Sequence, residues 1–321
     1  MPVSPAVQHQ AELSLAAYQR IKPHLTPTPC IASRQNLDGE TALYFKAENF
    51  QRSGSFKYRG ALSKPTSLGT ETPVITASSG NHGIALSTAA RLTGHKLSVV
   101  LPTNVAREKL KKIQALGVET ILHSEDAGIA EQYAQQLASE QGKVYASPYN
   151  DENVIAGQGT VALELLDQLP KLDVVFVSMG GGGLISGIGC VIKANSPNTR
   201  VIGVSASNSA ELAASIRAGK SVSVEHSPTL ADGCAGGVEK DSLTLKLASE
   251  VVDELIDCSE DMIADGIRAM AWEEKMLVEG SAGLALAPWR AEPEKYAGLN
   301  CAVVLCGANF DREVIEPVIC A

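Results

Sequence analysis

The stretch VVFVSMGGGG, Val174 to Gly183, runs from a β-forming apolar segment straight into four consecutive glycines. Val174 to Ser178 reads as a buried strand, and the apolar residues beyond the glycines predict a helix through Ile188 to Lys193. A strand that feeds a helix through a tight turn is the repeating unit of a parallel α/β sheet. Missing Cβ atoms let an anion approach the backbone, and the first turn of a helix exposes unpaired N–H groups. Phosphate binding is therefore the functional reading of Gly180, Gly181, Gly182 and Gly183, and a tight strand-to-helix turn is the structural one. No Gly-Lys-Ser/Thr follows, which excludes a Walker loop, and the spacing is not that of a dinucleotide fingerprint.

The same rhythm extends in both directions. Upstream, strands are predicted at Val74 to Thr76, Lys96 to Leu101, Val118 to His123 and near Lys143 to Ala146. Helices from His82 to about Leu92, Val105 to Leu116 and Ile129 to Ser139 alternate with them, and another runs from Gly159 to Leu169. Downstream come a strand at Val201 to Val204, a helix through Glu211 to Ala218, and a strand around Val251 to Ile256. Helices from Asp261 to Lys275 and from about Ser281 then lead to a strand at Ala302 to Leu305. Ser221 to Glu239 is rich in turn formers without a sustained period, so it is expected to be an ordered loop or a long connection. Near the start, Leu13, Ala17 and Ile21 share one helix face, Leu43 to Ala47 reads as a strand, and a helix from about Ser55 puts Lys57 in its first turn. Two blocks of β-α units predict two packed lobes with a groove between them.

Composition narrows the function classes. The 321 residues are 45% hydrophobic and 20% charged, as in ordinary globular domains. With 27 basic and 36 acidic residues the formal charge is -9, and no basic run is long enough to follow a phosphate backbone, so nucleic acid is not an expected partner. The seven cysteines lack the close pairing of a zinc or iron-sulfur site and read as reduced thiols of a cytoplasmic protein. Neither a signal peptide nor an apolar run of membrane-spanning length is evident, so no membrane partner is expected.

Three further segments carry chemistry. SSGNHG, Ser78 to Gly83, is another strand-to-helix turn, whose hydroxyls, amide and helix-end donors suit a carboxylate or a cofactor oxygen; a simple helix cap is the structural alternative. SGSFKYRG, Ser53 to Gly60, sets Lys57 between small and aromatic residues, where its amine can form a Schiff base if the environment keeps a fraction of it unprotonated; taken alone, a solvated helix residue is the stronger local reading. Cys306-Gly307-Ala308-Asn309 ends the strand beginning at Ala302, where a thiol suits either core packing or contact with a bound heterocycle.

Together, and in the order Lys57, Ser78, Gly180, Cys306 in which they occur along the chain, these segments closely resemble the fold-type II pyridoxal-phosphate enzymes of the threonine/serine dehydratase and serine racemase family. The resemblance runs from about Thr28 to Asp311, and AGQGT at Ala156 to Thr160 and LADG at Leu230 to Gly233 add to it. It implies two open twisted sheets flanked by helices with pyridoxal 5'-phosphate between the lobes. Residues 1–65 and 149–321 would form a large cofactor-binding domain and residues 66–148 a small one. It also implies that Lys57 is the Schiff-base lysine with Phe56 beside the ring, that Asn81 lies near the ring hydroxyl, and that Gly180 to Gly183 hold the phosphate. Cys306 would face the pyridine nitrogen, with Ser78, Ser79, Asn81 and His82 toward the substrate carboxylate. Tyr149 stands where serine racemases tend to carry asparagine and many threonine dehydratases an aromatic residue. Relatives that bind a divalent cation such as magnesium use a glutamate, a carbonyl and an aspartate at positions matching Ser205, Ser209 and Glu211, so the metal is left open here.

The activity so implied is an ammonia-lyase that converts L-threonine or L-serine to 2-oxobutanoate or pyruvate. Lys57 would serve as the base, and a neutral Cys306 disfavours a long-lived delocalised carbanion. A racemase using Ser79 as the opposite-face acid, and a dehydratase of another β-hydroxy amino acid such as 3-hydroxyaspartate or phenylserine, are the enzymatic alternatives. A non-catalytic phosphate-binding structural protein would use only the glycine turns. The resemblance further implies a homodimer or higher homo-oligomer. The chain ends at Ala321, soon after the last motif, so no appended regulatory module is expected.

Overall fold

The structure is a computed structural model that describes residues 3–36 and 42–321; Met1 and Pro2 of the opening segment lie outside them. The chain opens with α1 (Pro5–Ile21), capped by the Ser4 hydroxyl, and the short edge strand β1 (Cys30–Ala32) pairs antiparallel with β2 (Ala42–Lys46). α2 (Lys57–Thr66) leads into β3 (Val74–Ala77), α3 (Asn81–Thr93), β4 (Leu97–Leu101), α4 (Arg107–Gln114), β5 (Glu119–Leu122), α5 (Ala127–Gln141) and β6 (Val144–Tyr145). These four strands form an all-parallel sheet of order β5-β4-β3-β6. Their side chains alternate between two helical layers. Val74, Leu97, Val99 and Leu101 pack with Leu62 of α2 and Leu86 of α3, whereas Ile75 and Val100 pack with Ala130, Ala134 and Leu137 of α5.

The chain then enters the larger sheet through α6 (Glu152–Gln168), β7 (Val174–Ser178), α7 (Gly183–Asn195), β8 (Arg200–Ala206) and α8 (Glu211–Ala218). α9 (Leu243–Val251), β9 (Glu254–Cys258), α10 (Glu260–Trp272), α11 (Gly280–Ala291), β10 (Asn300–Val304) and α12 (Arg312–Cys320) complete it. The strand order is β1-β2-β10-β7-β8-β9, parallel except for β1. Val174, Val175, Phe176 and Val177 are all buried, as expected for a central strand covered by helices on both faces. The predicted two-sheet α/β architecture is thus the observed one.

Several boundaries differ from expectation for identifiable reasons. The helix predicted from Gly159 begins at Glu152, because the Asp151 carboxylate caps the N–H groups of Asn153 and Val154. Its glycines are packing devices: a Cβ on Gly157 would lie 2.5 Å from the Arg59 carbonyl oxygen of α2, and one on Gly159 would lie 2.2 Å from Ser14 Oγ of α1. Val251 belongs to the end of α9, capped at its start by Ser242, and the following strand begins at Glu254.

α2 and α6 are held by a buried ionic cluster. Arg59 reaches Glu48 with Nε at 2.7 Å and Nη2 at 2.8 Å, and Glu164 with Nη1 at 2.8 Å and Nη2 at 2.7 Å. Lys46 Nζ makes a 2.7 Å contact with Glu164, and no member of the cluster is more than 4% exposed. Two cations thus face two carboxylates away from water. Burial acts to raise the Glu164 pKa, but the hydrogen bonds and charge of Arg59, with the charge of Lys46, hold it below the usual carboxylate range. Glu164→Gln leaves a buried net positive charge and is expected to cost about 3–5 kcal/mol, read as a lower urea midpoint. The difference from wild type is full above the ordinary value of 4.5 and vanishes as pH falls through the lower folded-state value.

Candidate active site

β3, β7 and β10 all point their carboxyl ends into one cleft between the two sheets, with a volume of about 600 Å³. Every site residue predicted from the sequence lines it: Phe56, Lys57, Ser78, Ser79, Asn81, His82, Tyr149, Gly180 to Gly183 and Cys306.

Lys57 is set by a short ladder. Ser55 pairs with Gly307, the Phe56 N–H donates to the Cys306 carbonyl at 2.9 Å, and the Ala308 N–H donates to the Gly54 carbonyl at 2.9 Å. Gly54 is required on two counts: its φ is +77°, and a Cβ there would stand 2.8 Å from Asn309 Oδ1. Lys57 Nζ donates to the Pro148 carbonyl at 2.7 Å and lies 5.3 Å from the Phe56 ring centroid. Burial lowers its pKa to about 8, which leaves part of the amine unprotonated at neutral pH. Burial, reinforced by the charge of Lys57, pulls His82 down to about 3, so its imidazole is neutral. His82 Nε2 lies 3.2 Å from the Ala146 carbonyl, and Nδ1 has no partner among the described residues.

Gly182, with φ +89°, caps the 13-residue α7. The surroundings fit a phosphate. A Cβ on Gly180 would meet the Cys234 backbone at 2.8 Å and one on Gly181 the Tyr149 ring at 2.5 Å, so only bare backbone lines this wall. No hydrogen bond among the described residues uses the N–H groups of Gly181, Gly182 or Gly183. The Tyr149 hydroxyl accepts the Glu239 N–H at 3.0 Å, tying the loop after α8 to this wall. Cys306 Sγ lies 3.6 Å from Glu279 Oε1, and burial raises its pKa well above the usual thiol value, so the thiol stays neutral.

Glu279, Cys234 and Asn309 receive no site role from the sequence, and Asp232 and Gly233 enter there only through the LADG identity; all five line the cleft. Glu279 is 3% exposed and accepts from Asn81 Nδ2 at 3.0 and 3.2 Å and from the Asn309 N–H at 3.0 Å. Burial raises its pKa. At the positions matching the cation site of relatives, Ser209 Oγ lies 2.8 Å from His226 Nδ1, while the Glu211 carboxylate accepts the Val238 N–H at 2.6 Å and lies 3.2 Å from His226 Nε2. Among the described residues no three His, Cys, Asp or Glu side chains gather into a metal site.

Residues 21–307 match the family profile described as pyridoxal-phosphate dependent enzyme. The chain belongs to the fold-type II pyridoxal-phosphate enzymes of the threonine/serine dehydratase and serine racemase family. This enzyme is 38% identical to the L-threonine ammonia-lyase of Thermotoga maritima over 86% of its own length and 69% of the relative's. It is 35% identical to the L-threo-3-hydroxyaspartate ammonia-lyase of Saccharomyces cerevisiae over 93% of each chain. The structure of maize serine racemase superposes with a TM-score of 0.88 at 30% identity, covering 96% of this chain and 95% of that one. The enzyme therefore uses pyridoxal phosphate and acts on small amino acids. Among the described residues no helix is long and apolar enough to cross a membrane.

Because only the unprotonated amine attacks an aldehyde, covalent capture of pyridoxal phosphate by the cofactor-free chain should accelerate about tenfold from pH 7 to 9 and level off above a midpoint near 8. Stopped-flow absorbance measures it; a midpoint near 10.5, the ordinary lysine value, contradicts the buried amine described here.

Proposed function

We propose that the enzyme is an ammonia-lyase that converts L-threonine or L-serine to 2-oxobutanoate or pyruvate plus ammonia. The observation that carries this reading is the neutral Cys306 thiol in the cleft, on the strand end opposite Lys57. A thiol at the pyridine nitrogen withdraws less charge than a protonating carboxylate, which favours prompt loss of a β-substituent over a long-lived carbanion.

Pyridoxal phosphate, when bound, supplies an electron sink for the bond broken at the substrate Cα. The chain supplies the rest. The free N–H groups of Gly181, Gly182 and Gly183 hold the phosphate, and Phe56 packs beside the ring. Ser78, Ser79, neutral His82 and the Asn81 backbone N–H take the substrate carboxylate at the start of α3, where the helix dipole favours a negative group, and the Asn81 side-chain amide meets the ring hydroxyl of the cofactor. Lys57, with its lowered pKa, is the base for the α-proton. Tyr149 closes the wall behind the glycines and contacts the bound substrate. The β-hydroxyl leaves with a proton as water, matching the proton that Lys57 takes from Cα, and one water then hydrolyses the resulting enamine to the keto acid and ammonia. Residues 1–65 and 149–321 act as the cofactor domain and residues 66–148 as the small domain that carries the carboxylate site.

Racemisation is the second reading, because the Ser79 hydroxyl lines the cleft with no hydrogen-bond partner among the described residues and is available as a proton donor. Parallel keto-acid and chiral amino-acid assays separate the two. Pyruvate and 2-oxobutanoate should appear faster than either substrate changes configuration, and Lys57→Ala should remove the visible cofactor band and at least about 10³-fold of the activity. D-serine accumulating ahead of pyruvate defeats the lyase assignment, while preference for 3-hydroxyaspartate or phenylserine keeps the mechanism and changes the substrate.

A further inference from the structure

Glu279 sits where a carboxylate is costly, almost wholly buried and, among the described residues, in contact with no cationic side chain. Its oxygens instead collect three uncharged donors: Asn81 Nδ2, the Asn309 N–H and the Cys306 thiol. The surrounding chain leaves room for it. A Cβ on Gly307 would lie 2.7 Å from both carboxylate oxygens.

The orientation of the Asn81 amide follows from its partners. The Ser53 carbonyl is an acceptor only, so the 2.8 Å contact with Asn309 must be made by Nδ2 of that amide. The same Nδ2 lies 2.7 Å from Asn81, which must therefore turn its Oδ1 toward Asn309. Glu279 on the other side accepts the Asn81 Nδ2. Both ends of the Asn81 amide are thus assigned by chemistry, and a flip would set donor against donor at Asn309 and oxygen against oxygen at Glu279. Glu279 and Asn309 belong to the six-stranded part of the molecule and Asn81 to the four-stranded part, so this closed ring also spans the cleft.

We propose that Glu279 is a positioning residue that locks the Asn81 amide so that its remaining Nδ2 hydrogen, and never its oxygen, is presented to the ring hydroxyl of the cofactor. The inference rests on the functional reading above, in which Asn81 meets that hydroxyl. A donor there stabilises the oxygen in its anionic form. Glutamine at position 279 puts an NH2 where the carboxylate has a second oxygen, so whichever way it turns, that NH2 faces either Asn81 Nδ2 or the Asn309 N–H, donor against donor.

The test compares pyridoxal phosphate with its 3-deoxy analogue, which lacks the ring hydroxyl, by equilibrium titration of the cofactor-free chain followed by absorbance. Glu279→Gln should raise the Kd for pyridoxal phosphate about tenfold while changing that for the 3-deoxy analogue less than about twofold. Gly307→Ala, which displaces the carboxylate without removing it, should give the same pattern and serves if Glu279→Gln does not fold. In an Asn81→Ala background, Glu279→Gln should add almost nothing, because the two act as one unit. Equal losses for both ligands, no loss for either, or an undiminished effect without Asn81 overturns the positioning role. A wild-type chain that binds neither ligand removes the functional reading itself.

Discussion

The Arg59 guanidinium, wholly buried between two carboxylates, is the constraint on which the arrangement of the cleft depends. Lys46 comes from β2, Glu48 from the turn after it, Arg59 from α2 and Glu164 from α6, so one neutral cluster fixes a strand and two helices against one another. Such a cluster is not a strong source of stability, because desolvating four charges offsets most of their attraction. Its value is geometric. Bidentate contacts allow few alternative settings of α2, and Lys57 lies two residues before Arg59 on that helix. The Gly60–Gly157 contact works in the same direction by letting the two backbones approach more closely than any Cβ permits.

At the other end of the site the same economy of side chains recurs. Where the glycine turn faces the cleft, the chain offers bare backbone N–H groups; behind it, the Tyr149 ring backs Gly181 and anchors the loop through Glu239. Polar groups that face the cleft are kept neutral by burial: the His82 imidazole, the Cys306 thiol and a fraction of the Lys57 amine. Glu279 is held in place by the amides around it.

The three segments around Lys57, Ser78 and Gly180 are legible in the sequence because each is a local device, a strand end running into a turn and a helix start, and turn chemistry is written in consecutive residues. Glu279 is not legible in this way. Its partners lie 198 and 30 residues away, and it precedes a helix with no pattern to separate it from an ordinary N-terminal glutamate. The early part of α6 is obscured because Gly157 and Gly159 look like breakers until the helices they touch are known. β1 is three residues long, α9 follows an irregular loop, and α12 contains Pro317, so periodicity has little to act on in each.

The order of the larger sheet has a consequence for how the molecule comes into being. β10, among the last elements to be synthesised, is inserted between β2 near the beginning of the chain and β7 near its middle. Until it emerges from the ribosome, the β1-β2 pair and the β7-β8-β9 block each carry an unpaired inner edge of strongly apolar strands, the kind of surface that chaperones engage and that drives misassembly. The same late segment brings Cys306 and Gly307 to the backbone ahead of Lys57. A nascent chain therefore has its glycine turn and its lysine long before it has a cofactor site, and a premature stop upstream of β10 yields a sheet with two open edges and no complete cleft.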